Sequence, residues 1–108
     1  MWINNEIFRE DMEMIAEASY IPWERLKGKT ILVTGATGLI GFNLISALSY
    51  VHLYKEISLK IVALVRNREK AMQRFHEVLN AGAPLTFVVG DLNHIPVIDE
   101  HIDYIIHG

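Results

Sequence analysis

The sequence predicts an α/β fold: the N-terminal half of a doubly wound parallel sheet, with about four strands and an extra N-terminal helix. Three observations predict it. From Lys29 onward, short apolar runs alternate with segments of helical periodicity. The runs are apolar at consecutive positions, as in parallel strands that are covered on both faces. Three glycines lie where the first run gives way to a helix. Right-handed crossovers then predict the strand order 3-2-1-4.

The N-terminal segment reads as a helix over residues 3–18, ended by Pro22. Its apolar side chains form one stripe, and its acidic side chains lie largely elsewhere. Because the polar face is acidic, the pattern favours packing on the outside of the domain or on a partner surface over binding to a membrane or a calmodulin-type protein. We divide the chain into 1–26, this helix and a connector, and 27–108, a half-domain of alternating strands and helices.

The strands and helices of the second part follow in order. The predicted strands are 30–33, 59–65, 85–89 and 104–107. The first connecting helix has apolar residues at helical spacing: Ile40, Leu44, Ala47, Leu48 and Val51. The second begins after Asn67, a suitable N-cap, and Gly82 and Pro84 end it. Its predicted apolar face consists of Ala71, Phe75, Val78 and Leu79.

Composition excludes several classes of function. The 108 residues suit one small domain, with a net charge of −3 and no basic cluster longer than 66–70, which argues against nucleic acid as the main partner. The chain has no cysteine, and its five histidines lack helical metal-ligand spacing, so we predict no metal site. No apolar run is long enough to span a membrane, and the acidic N-terminus does not resemble a signal peptide. We expect a cytoplasmic protein that does not bind membranes.

The glycine segment Thr34-Gly35-Ala36-Thr37-Gly38-Leu39-Ile40-Gly41 carries most of the functional information. A strand before it and a helix after it indicate a dinucleotide-binding turn. Gly35 would permit the tight turn, Gly38 the approach of a diphosphate, and Gly41 the packing of the helix on the sheet. The motif lacks the Gly-Lys-Ser/Thr of a Walker loop. The alternative is a strand–helix corner that merely needs small residues. Candidate cofactor-binding residues here are Gly35, Thr37, Gly38, Leu39, Ile40 and Gly41.

Arg66 and Asn67 end the second strand, where the adenosine ribose of a dinucleotide should lie. An acidic residue there would accept hydrogen bonds from the ribose hydroxyls, whereas an arginine can hold a 2′-phosphate. The first Asp or Glu after this strand is Glu69. The pattern therefore favours NADP over NAD; the alternative is a solvated arginine that stacks on adenine.

Gly90-Asp91-Leu92 follows the third strand. Asp91 could accept a hydrogen bond from the adenine amino group, with Leu92 against the ring, or it could cap the following turn, and both roles are compatible. His107 ends the fourth strand and either lines the cofactor cleft or donates to a backbone carbonyl. The acids of the N-terminal helix, and Asp99, Glu100 and Asp103, are expected to be solvated.

On these motifs the chain resembles an extended short-chain dehydrogenase/reductase with a Rossmann-type fold, and within it the NAD-dependent epimerase/dehydratase family. The glycine pattern, Gly90-Asp91-Leu92 and the segment from Asp103 to Gly108 carry the resemblance, which covers roughly Lys27 to Gly108. It implies NAD or NADP as cofactor and a nucleotide sugar as substrate of the full-length enzyme. A transient hydride transfer at a sugar carbon would lead to epimerisation, dehydration or decarboxylation.

The same resemblance implies a tyrosine base with a lysine four residues later. None of the four tyrosines has such a lysine. We therefore expect no catalytic residue in this chain, which would be the inactive cofactor part of a larger enzyme and truncated before the catalytic and substrate-binding part. We also expect self-association through the exposed edge of the fourth strand. The alternatives are a non-catalytic NADP-binding regulator of the atypical short-chain dehydrogenase type and an interaction module that acts through the N-terminal helix.

Overall fold

A computed structural model describes residues 10, 13 and 14 and residues 23–108. The predicted helix over 3–18 lies outside the described residues except for Glu10, Glu13 and Met14, which are helical. The elements that follow, in chain order, are α1 (Trp23–Leu26), β1 (Thr30–Thr34), α2 (Leu39–Tyr54), β2 (Lys60–Val65), α3 (Arg68–Arg74), α4 (His76–Asn80), β3 (Leu85–Val89) and β4 (Tyr104–His107).

The four strands form one parallel sheet in the order β3-β2-β1-β4, which confirms the predicted fold class and strand order. Ile31 pairs with Ile61 of β2 on one side and with Tyr104 of β4 on the other. Since parallel strands run in one direction, the carboxyl ends of β1, β2 and β3 meet at one edge of the sheet. The turns that carry the predicted site residues therefore lie together.

The helices cover one face of this sheet. Alternate strand residues, among them Ile31, Val33 and Ile61, are fully buried on that face, as the period of two along a strand requires. Phe75 is also fully buried, with its ring centroid 5.3 Å from that of Phe42 in α2 and 6.0 Å from that of Phe87 in β3. These aromatic contacts link α2, the end of α3 and the sheet.

An irregular connection covers part of the other face. Leu32, Val62 and Leu64 are buried there beneath Ile98 and Ile102, which belong to the segment between β3 and β4. The sequence predicted that both faces of the sheet are covered, and this connection provides cover for part of the second face. Ile98 and Ile102 pack on the sheet as part of a second, smaller core.

Two helix predictions need correction. The single helix predicted after Asn67 is two helices, because the chain turns at the buried Phe75 between α3 and α4. Ile40, assigned to the buried stripe of α2, is 71% exposed, because it lies in the first turn of the helix. Further along, residues 45–51 of α2 are all buried, including Ser46 and Ser49.

Glu13 connects the described N-terminal residues to α2. Its carboxylate accepts hydrogen bonds from the Tyr50 hydroxyl and from the Lys55 ammonium group. Both donors lie in or directly after the last turns of α2, so this carboxylate is held against the C-terminal part of the helix. Within the described residues, no helix has the length and apolarity needed to cross a membrane.

Candidate functional site

A cleft of about 820 Å³ opens at the carboxyl edge of the sheet. Its volume is within the range of small-molecule sites, and this edge is where parallel α/β sheets bind their ligands. Three turns form its walls: the one after β1, the one after β2 and the one after β3. The lining residues are Thr34, Gly35, Ala36, Thr37, Leu64, Val65, Arg66, Asn67, Lys70, Arg74, Gly90, Asp91, Leu92 and Asn93.

Gly35 and Gly41 are required by the turn itself. Gly35 has φ = +63°, a left-handed conformation that favours glycine, and a Cβ atom there would lie 2.5 Å from the carbonyl oxygen of Gly108. A Cβ atom on Gly41 would lie 2.2 Å from the Gly35 carbonyl oxygen. Gly41 therefore allows α2 to approach the glycine turn, and the packing of the helix on the sheet, which was predicted for this glycine, stays a prediction.

Gly38 differs from these two glycines. Its φ is −73°, and a Cβ atom would meet only the Gly35 carbonyl oxygen, at an ordinary contact distance of 3.5 Å. The fold alone thus leaves room for a side chain at this position. The reason predicted for Gly38, close approach of a diphosphate, stays a prediction.

The N-terminus of α2 presents backbone donors next to the cleft. Gly38 is the N-cap and makes no side-chain capping bond, and the first intrahelical bond runs from the Phe42 N–H to the Gly38 carbonyl at 2.8 Å. The three N–H groups before Phe42 therefore lack intrahelical acceptors. The first turn carries no acidic residue, so the positive end of the helix dipole is not neutralised locally. An anion is the ligand that this arrangement favours.

The turn after β2 and the helix that follows it, α3, supply three cationic side chains. Arg66 lines the cleft at the strand end, and Lys70 and Arg74 line it from α3. The Arg74 guanidinium carbon lies 4.0 Å from the centroid of the Phe42 ring, in cation–π contact. Asn67 Oδ1 accepts a hydrogen bond from the Lys70 N–H at 3.0 Å, which confirms its role as N-cap. Lys70 and Arg74 were not among the predicted site residues, although their spacing of four residues indicates a shared helix face.

The turn after β3 is folded back tightly. Asp91 Oδ1 accepts hydrogen bonds from the N–H groups of Asn93 (2.8 Å) and His94 (2.9 Å), so the turn-capping role weighed for Asp91 is present. Both hydrogen bonds go to Oδ1 of Asp91, and Asp91 also lines the cleft. Leu92 lines the cleft with 63% of its surface exposed. An exposed leucine in a cleft offers an apolar surface to a planar ring.

His107 lies outside the lining of the cleft. Its Nδ1 is 2.7 Å from the hydroxyl oxygen of Thr34, which does line the cleft, so the histidine connects the ends of β1 and β4. The predicted alternatives for His107 were a place in the cleft lining or a bond to a backbone carbonyl, and its partner is instead the Thr34 hydroxyl. Of the predicted site residues, the structure gathers these around the cleft: Gly35, Thr37, Arg66, Asn67, Asp91 and Leu92. It places these outside the lining: Gly38, Leu39, Ile40, Gly41 and His107.

No family model matches the chain, and no curated protein is significantly similar to it. Within the described part of the chain, histidine, aspartate and glutamate side chains form no group of three that could hold a metal ion. The cleft and its charges therefore carry the functional argument.

Proposed function

We propose that this chain binds the adenosine diphosphate half of a nicotinamide dinucleotide, as the NAD(P)-binding part of a nucleotide-sugar epimerase/dehydratase. One observation carries the proposal. The glycine turn after β1, the basic turn after β2 and the turn of Asp91 and Leu92 after β3 line a single cleft at the carboxyl edge of a parallel sheet. Such sheets bind nucleotides at this edge, next to the first strand.

Each wall suits one part of the ligand. The glycine turn leads directly into the start of α2, whose first N–H groups lack intrahelical acceptors and suit the diphosphate, although residues 39–41 themselves lie outside the lining. Arg66, at the end of β2, suits the substituents of the adenosine ribose. Leu92 suits one face of the adenine ring, and the Asp91 carboxylate is an acceptor for its amino group. The positions of these groups along three neighbouring turns follow the order diphosphate, ribose, base.

The proposed chemistry of the whole enzyme is hydride transfer between the nicotinamide and a carbon of a nucleotide sugar. The dinucleotide would supply that redox chemistry when bound. This chain contributes binding and orientation of the cofactor, because none of its tyrosines has a lysine four residues later to lower its pKa. We expect the chain alone to bind nucleotide without turnover.

A non-catalytic NADP-binding regulator is the second candidate. The three cations that line the cleft support it, because they suit the 2′-phosphate of NADP. Both candidates require the same nucleotide site. They differ in whether the parent protein oxidises and reduces a sugar, and assay of the parent protein with nucleotide sugars separates them.

Titration calorimetry with ADP-ribose tests the binding site. We expect saturable binding at one site per chain, weakened at least about tenfold by Gly38→Val, because a branched side chain next to the start of α2 would obstruct a diphosphate. Asn43→Val, an exposed change on the same helix and outside the cleft, is the matched control and should bind like the wild type. Absence of binding to the wild type, or equal binding by Gly38→Val, would overturn the proposal.

A further inference from the structure

We infer that the cleft selects a dinucleotide with a 2′-phosphate on its adenosine, and that Lys70 and Arg74 recognise this phosphate together with Arg66. The inference rests on the proposed function, because it concerns the specificity of the same site. We call these three side chains the basic wall. Lys70 and Arg74 belong to α3, and neither was among the site residues predicted from the sequence.

The three side chains of the basic wall come from consecutive parts of the chain and line the same cleft. Arg66 lies at the end of β2, and Lys70 and Arg74 follow on α3. Residues four apart on a helix lie on the same face, so Lys70 and Arg74 extend the wall by one helical turn. All three line the cleft, and all three are solvent-exposed, which leaves them accessible to a ligand.

Among the residues that the structure describes, no carboxylate forms an ion pair with this wall. Within the described part of the chain, neither Arg66 nor the Lys70 ammonium group forms an ion pair or a side-chain hydrogen bond. The Arg74 guanidinium is in contact with the face of the Phe42 ring, which leaves its positive charge in place. The neighbouring Arg68 is oriented differently, since its guanidinium donates to the Phe87 carbonyl at 3.3 Å and does not line the cleft.

The chemistry of the wall suits a phosphate better than a ribose diol. Lysine and arginine side chains only donate hydrogen bonds, whereas two ribose hydroxyls are best held by an acceptor such as a carboxylate. Asp91 is the one carboxylate among the lining residues, and it belongs to the turn after β3 rather than the turn after β2. A phosphate, with its several acceptor oxygens, could engage more than one of these cations at once.

The Phe42 contact gives Arg74 a defined position. Stacking on the ring restricts a side chain that otherwise has many rotamers, and so reduces the entropy lost on binding. Lys70 lies one turn closer to the strand end that holds Arg66. We therefore expect Lys70 to contact the phosphate directly. Arg74 lies one turn further from the end of β2 and is held on the Phe42 ring, so we expect it to contribute mainly through its charge.

Binding of NAD⁺ and NADP⁺, which differ only by the 2′-phosphate, tests the inference. We expect the wild type to bind NADP⁺ at least about tenfold more tightly than NAD⁺, since charge-assisted hydrogen bonds are the strong ones. Lys70→Gln should reduce this ratio about fivefold to tenfold, and Arg74→Gln about threefold, with little change for NAD⁺. Arg66→Asp should reverse the preference, because it places an acceptor at the end of β2.

The matched control is Lys60→Gln, which removes an exposed lysine at the opposite end of β2. It should leave the ratio unchanged. Equal affinity for both dinucleotides would overturn the inference while leaving the proposed function in place, and so would a ratio that is insensitive to Lys70→Gln. If neither dinucleotide nor ADP-ribose binds, the proposed function fails and the inference fails with it.

Discussion

The Asp103 carboxylate accepts a hydrogen bond from the backbone N–H of Thr30 at 2.9 Å, and the Asp103 N–H donates to the Thr30 carbonyl, also at 2.9 Å. This exchange joins the start of β1 to the start of β4. Nε2 of His101 lies 3.2 Å from the other carboxylate oxygen. The hydrogen bond from Thr30, helped by the nearby charges of His101 and Lys29, lowers the pKa of the Asp103 carboxyl below its usual value.

Asp103 should make stability depend on pH. Because its pKa is lower in the folded chain, ionised Asp103 stabilises the fold fully above its ordinary pKa of 3.8, and this contribution is lost as the pH falls through the folded value. Asp103→Ala should therefore be destabilising at neutral pH, and its deficit relative to wild type should shrink at about pH 3. Urea unfolding at both pH values measures this deficit.

Asp103→Asn is the matched variant for that experiment, because the amide oxygen can still accept from the Thr30 N–H while the charge is lost. It should be more stable than Asp103→Ala at neutral pH. A deficit of Asp103→Ala that stays constant between the two pH values would show that the carboxylate charge does not contribute.

The glycines of the first turn should respond unequally to alanine. Gly41→Ala should destabilise the fold by at least about 2 kcal/mol, because its Cβ would overlap the Gly35 carbonyl oxygen at 2.2 Å. Gly38→Ala should change the free energy of unfolding by no more than about 0.5 kcal/mol, since its φ of −73° and its surroundings accept a Cβ. Chemical unfolding of the two variants measures both values, and equal losses would refute this distinction.

Glu56 has φ = +57°, in the left-handed region, just after α2. A side chain in this conformation costs about 1 kcal/mol, and glycine removes most of that cost. Glu56→Gly should therefore raise the free energy of unfolding by about 0.5–1 kcal/mol, as measured by urea denaturation. Glu56→Ala, which removes the charge and keeps the Cβ, should show no such gain. An equal gain in both variants would assign the effect to charge instead.

The outer edge of β4 should cause self-association. Within the described residues β4 pairs only with β1, and its sequence Tyr-Ile-Ile-His has none of the charges or prolines that usually protect an edge strand. Ile105 is 57% exposed. We expect concentration-dependent association in sedimentation velocity, reduced by Ile105→Lys. Val97→Lys, at a position that is 92% exposed in the preceding connection, is the control and should associate like the wild type. A homogeneous monomer at high concentration would contradict this prediction.

Local sequence patterns were sufficient to predict the sheet. The bounds of β3 and β4 match the predicted strands, and Asn67 caps α3 as expected. These features depend on residues that are close together in the chain: apolar runs, turn residues and one capping side chain. The strand order followed from the handedness of crossovers, which holds for nearly all parallel connections.

Features that depend on distant contacts could not be predicted. Asp103 was assigned to a solvated surface, but it bonds to Thr30, which is 73 positions away. Lys70 and Arg74 line the cleft because α3 packs its buried face, with Ala71 and Phe75, on the sheet beside the turns after β1 and β3. The predicted apolar face did not show that these turns lie next to the helix. The turn at Phe75 likewise depends on rings from α2 and β3. In each case the deciding partner belongs to another element of the fold.

The central claim is that the three turns at the carboxyl edge of the sheet form one site for adenosine diphosphate. Titration of isotopically labelled protein with ADP-ribose, followed by amide chemical shifts in nuclear magnetic resonance, tests this claim most directly. We predict that the largest shifts lie in three separate segments, 35–41, 65–67 and 91–93, and that they saturate together with one dissociation constant. Shifts confined to one of these segments, or spread over the surface without saturation, would contradict the claim.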